Sequence, residues 1–83
     1  MTRETRKAMK AIKQRVVDFF FIYFDSKTSR TIDRHPEIAV SMIREAIADG
    51  IPTRSRLTIY SAALRDALEY QRLVLADDAK AAV

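Results

Sequence analysis

Apolar residues return every three or four positions over three long stretches of the chain, and nowhere do they alternate with polar ones at period two. The first spacing collects side chains on one side of an α-helix; the second would mark a half-buried strand, so the chain reads as all-α. In the first stretch Met9, Ile12, Val16, Phe19, Phe20 and Tyr23 share a face at about 100° per residue. In the second, Ile38, Met42, Ile43, Ala46 and Ile47 face inward, with Glu37, Ser41, Arg44 and Glu45 outward. In the third, Leu57, Tyr60, Leu64, Ala67, Leu68, Gln71 and Leu75 form the expected core stripe, and Thr58, Ser61, Arg65, Glu69 and Arg72 the polar one.

Breaker residues predict where these helices are cut. The single glycine and both prolines fall between the stretches or at their starts. Helix one is expected from Thr2 or Arg3 to Asp25 (3–25), ended by Ser26-Lys27-Thr28-Ser29-Arg30. Asp33 suits the N-cap of helix two (33–49), with Pro36 in the first turn, where a missing N–H costs nothing. Gly50 should close that helix in a left-handed conformation, and Pro52 prevents continuation. Thr53 or Ser55 can open helix three (55–76), leaving 77–83, with Asp77-Asp78, as a flexible tail. The expectation is one helical domain over 1–76: a three-helix bundle or αα-corner arrangement with a long N-terminal helix, completed by dimerisation.

Helices one and three carry more apolar surface than one central seam uses. On helix one, a row that starts basic becomes Val17, Phe21 and Phe24; on helix three, Ile59, Ala62, Tyr70 and Leu73 lie opposite the core stripe. At about 25 cal/mol per Å², leaving a few such side chains wet forfeits free energy comparable with the whole stability of a small domain. Self-association or docking on another protein recovers it. A homodimer is expected, and Val17, Phe21, Phe24, Ile59, Tyr70 and Leu73 are the candidate protein interface.

Charge sharpens that picture. The net charge is +4, yet residues 1–17 alone set six bases (Arg3, Arg6, Lys7, Lys10, Lys13, Arg15) against Glu4; of 15 bases and 11 acids this leaves nine against ten elsewhere. The excess is N-terminal. Such a helix suits an acidic face on a host or cognate protein, with Arg6, Lys10 and Lys13 orienting it, or the phosphates of nucleic acid. Its cations and aromatics are segregated along the axis more than around it, so no membrane partner is expected. A partial helix-turn-helix pattern starts at Met42: Ala46, Gly50, Ile51 and Ile59 fit, but Asp49 and Arg56 stand where apolar residues are required. On that alternative the chain is a dimeric DNA-binding transcriptional regulator, with Arg3, Lys7, Thr53, Arg54 and Arg56 as the contacts.

Several chemistries drop out. With no cysteine, one histidine and one glycine, there is no disulfide, no thiolate metal site and no glycine-rich phosphate loop. The lack of cysteine fits a cytoplasmic protein. The run Phe19–Phe24 is far short of the ~20 residues that cross a bilayer, and it lacks the cleavage site of a signal peptide. His35 has no Ser, Cys or carboxylate pair nearby in sequence to work with, so no catalytic residue and no cofactor is assigned. The expected function is that of a small non-enzymatic regulatory or inhibitory protein, acting by protein–protein contact.

Thr31-Ile32-Asp33, with Tyr60-Ser61-Ala62-Ala63, Arg65 and Leu68, resembles pieces of the bacterial Hha/YmoA nucleoid-modulator family. The resemblance implies a helical protein that binds a nucleoid protein. It needs an insertion between its two parts, the long aromatic first helix departs from it, and it carries no site residue onto this chain.

Overall fold

The computed structural model describes residues 2–24, 32 and 35–81, with 78–81 by their backbone alone. Three helices, α1 (Arg3–Tyr23), α2 (Pro36–Ala48) and α3 (Leu57–Ala81), make an all-α fold with no strand among the described residues. Also among these residues, no helix is long and apolar enough to cross a membrane.

Each boundary has a local cause. Thr2 caps α1, its hydroxyl accepting from the Thr5 N–H at 3.1 Å, and Glu4 in the first turn complements the helix dipole. At the far end the Phe24 N–H still donates to the Phe20 carbonyl at 2.9 Å. The expected end at Asp25, the polar stretch 26–30 and the Asp33 cap lie outside the described residues. Helix α2 begins at Pro36, later than expected, with His35 at the cap position and making no side-chain cap bond. Proline's fixed φ and missing N–H suit that first position.

Gly50 ends α2 as the sequence predicts. Its φ is +70°, its N–H donates to the Ile47 carbonyl at 3.1 Å, and the Ile51 N–H reaches back to Ala46 at 3.0 Å. These two bonds are the Schellman closure, which satisfies carbonyls the helix end would otherwise orphan. A Cβ at Gly50 would touch nothing within 4 Å. Gly50→Ala should therefore cost only the left-handed backbone penalty, roughly 1–2 kcal/mol. A denaturation midpoint unchanged by the substitution would show that the turn carries no strain.

The C-terminal tail expected at 77–83 is helical through Ala81. Asp77-Asp78 suggested a stop, but alanine, the strongest helix former, occupies 76, 79 and 81 and carries the helix on.

Helix α3 is the element both others pack on. Arg15 meets Asp66, Phe19 meets Tyr60, and Tyr23 lies under Arg56, so α1 runs antiparallel to α3. The molecule measures 43 × 21 × 20 Å, its long axis close to the roughly 37 Å length of a 25-residue helix. The core joins Val16, Phe19 and Phe20 of α1 with Ala39, Val40, Ile43 and Ala46 of α2, Tyr60, Ala63, Ala67 and Tyr70 of α3, and Ile32. Half-buried Met9 and Ile12 extend the α1 stripe as predicted.

The core stripe of α3 holds Tyr60 and Ala67 as expected and departs from the expectation elsewhere. Leu57, Leu68 and Leu75 are exposed by 42%, 37% and 59%, whereas Tyr70, expected on the free face, is buried, as is Ala63. The buried line Tyr60, Ala63, Ala67, Tyr70, with half-buried Val74, alternates steps of three and four, the spacing of a helix–helix seam. Alanines in that seam let α1 and α2 come close while the tyrosines fill the gaps between them. A stripe drawn through the leucines is off by about one residue's turn, roughly 100°.

Candidate functional site

The run Phe19–Phe24 divides by angle around α1. Phe19 and Phe20 are buried, Tyr23 and Phe24 half-buried, and Phe21 and Ile22 are 62% and 68% exposed. The inward rings interlock. Phe20 stacks on Phe24 with centroids 4.9 Å apart, Phe19 meets Tyr60 edge-on at 5.0 Å, and Tyr23 meets Tyr60 at 5.6 Å. The Arg56 guanidinium lies 5.6 Å from the Tyr23 ring centre, a cation–π contact that closes this end.

Beside it an open apolar groove of about 380 Å³ runs between α1 and α3, floored by Phe19, Ala62 and Ala63 and rimmed by Ile22, Tyr23 and Ile59. Arg15 and Asp66 close one end as a two-bond pair: Nε donates to Oδ2 at 3.0 Å and Nη2 to Oδ1 at 3.1 Å. These bonds, and then the Asp66 charge, hold the Arg15 pKa above its ordinary value. One turn further along α3, bonds from Arg72 draw the Glu69 carboxyl below the usual range. That pair is exposed and contributes little to stability.

The expected interface residues separate. Phe21 and Ile59 are exposed, Val17 and Leu73 half-buried. Phe24 joins the aromatic cluster and stays half-buried, while Tyr70 lies in the core; helix angle alone, which ignores where α2 and α3 stand, places both outside. Ile22 was overlooked. It follows Arg15 and Asp18 on a row that reads as solvated, and only its groove position reveals it.

Among the cations, Arg3, Arg6, Lys7 and Lys10 are exposed, and no ion pair to them is found among the described residues; Lys13 is half-buried. Arg3, Lys7, Lys10, Gln14, Val17 and Phe21 stand at alternating steps of four and three, one row about 27 Å long on α1. It begins cationic and ends aromatic. The helix-turn-helix candidates fare differently. Asp49 and Arg56 are exposed, so neither supplies the apolar clamp between the two helices, Thr53, Arg54 and Ser55 sit in the turn before α3, and Arg56 is engaged with Tyr23. Among the described residues, no three His, Asp or Glu side chains gather as metal ligands. The Hha/YmoA resemblance falls partly on core residues, Ile32, Tyr60 and Ala63. No protein-family model matches the chain, and no curated protein or solved structure is significantly similar to it.

Proposed function

We propose that this chain is a small non-enzymatic regulatory or inhibitory protein that holds an acidic partner protein along α1. The observation that carries the reading is the Arg3–Phe21 row. Exposed cations at its start lead to a 62% exposed phenylalanine, with Ile22 and Ile59 alongside. The matching partner is an amphipathic segment with an apolar anchor at one end and carboxylates about three to five helical turns away. The anchor buries against Phe21 and Ile22; the carboxylates meet Lys10, Lys7 and Arg3. Central aromatic contacts supply most of the affinity of such a surface, and rim charges mainly set the association rate.

The test is capture from lysate treated with nuclease, compared across variants. A protein retained by the wild-type chain, lost with Phe21→Glu, and bound more slowly by Lys7→Glu/Lys10→Glu at an unchanged dissociation rate supports the reading. A gel shift with random-sequence duplex DNA supplies the opposite outcome. Sub-micromolar binding at about 0.15 M salt, abolished by the same charge reversal, would replace the protein partner with a phosphate backbone.

A further inference from the structure

A second apolar line runs along α3, apart from both the core seam and the α1 row. Leu57, Ser61, Leu64, Leu68, Gln71 and Leu75 follow one another at steps of four, three, four, three and four residues. That is again the spacing of a helix–helix seam, but this one is open. Leu57, Leu68 and Leu75 are 42%, 37% and 59% exposed, Ser61 is exposed, and Leu64 and Gln71 are half-buried. The chain's own helices do not fill it. Helix α1 lies on the Asp66 and Ala62 side of α3, and α2, with 13 residues and about 20 Å, is roughly half as long as α3.

The line reads the same in both directions. About a point level with Asp66, Leu57 mirrors Leu75, Ser61 mirrors Gln71 and Leu64 mirrors Leu68. We infer that α3 pairs antiparallel with α3 of a second copy of this chain, about a two-fold axis at that point. In this register each leucine faces a leucine, and the Ser61 hydroxyl faces the Gln71 amide, its hydrogen-bonding complement. Mirrored layers of this kind are what antiparallel packing needs; a parallel pair, in which each residue faces its own copy, requires no mirror. Antiparallel helices also set opposite dipole ends together. The surface is isologous, so the assembly closes at two. The seam is about 27 Å long and smaller than a standard interface, so the dissociation constant falls in the micromolar range. A dimer built this way presents two α1 rows and is bivalent toward its partner.

Sedimentation equilibrium over a micromolar to near-millimolar range tests the pairing. The wild type should pass from 9.5 kDa to twice that mass, and Leu68→Glu and Leu75→Glu should each weaken the association at least tenfold without loss of helical circular dichroism. Leu75 is mostly exposed, so its substitution leaves folding intact even if Leu68→Glu does not. Phe21→Glu should leave self-association unchanged. Because the chain has no cysteine, orientation can be read by disulfide trapping. Leu57→Cys mixed with Leu75→Cys should give a crossed dimer, and neither variant alone should cross-link, since like positions then stand about 27 Å apart. A wild type that stays at monomer mass throughout, or efficient cross-linking of either variant with itself, would overturn the proposal.

Discussion

Phe20→Ala is expected to remove about a quarter or more of the stability of the domain. Phe20 is fully buried, stacked on Phe24 at 4.9 Å and edge-on to Phe19 at 5.6 Å. Truncation removes the apolar area, two ring contacts and the filler of a space that neighbouring rings cannot close. Such changes cost about 3–5 kcal/mol, against roughly 4–12 kcal/mol for a domain of this length. A urea titration followed by circular dichroism should show the midpoint reduced by about a quarter or more, or no cooperative transition. A midpoint within about 0.5 M of wild type would mean that the aromatic cluster is not what holds α1 to the other two helices.

The second large effect is a contrast between neighbours on one helix. Phe24→Glu should lower stability by about 3 kcal/mol, because a carboxylate would replace a ring packed against Phe19, Phe20 and Tyr60. Phe21→Glu, one turn earlier at 62% exposure, should change it by no more than about 0.5 kcal/mol. Thermal melts resolve the difference, since about 1 kcal/mol shifts the midpoint by roughly 4–8 °C in a domain this small. Equal destabilisation by both would place Phe21 in the core and remove the aromatic end of the docking row. Together with the lysate comparison, the contrast separates loss of binding from loss of fold.

Sequence alone determined the elements and some of their ends. Gly50 followed by Pro52 reads as a left-handed helix stop because local steric rules suffice to place it, and the positive φ and the two closing bonds are there. The inward stripe of α1 was legible for a similar reason: Met9, Ile12, Val16, Phe19, Phe20 and Tyr23 keep the spacing along the whole helix, whereas the rival row ending in Val17, Phe21 and Phe24 is cationic in its first half. On α3 the same reasoning placed Tyr60 and Ala67 correctly and set the rest of the stripe on the wrong line. Two lines share the seam spacing, and the leucine line is the more hydrophobic, yet the alanine–tyrosine line is buried. Hydrophobicity ranks faces by what each gains from leaving water. Packing ranks them by whether two helices fit, and small residues let both α1 and α2 approach α3. That decision requires knowing where the neighbouring helices stand. So does the division of the run Phe19–Phe24, where a single turn separates a ring locked in the core from one left open to solvent. Local chemistry determined which segments are helical; the angle at which they meet decided which apolar residues hold the fold and which remain available to a partner.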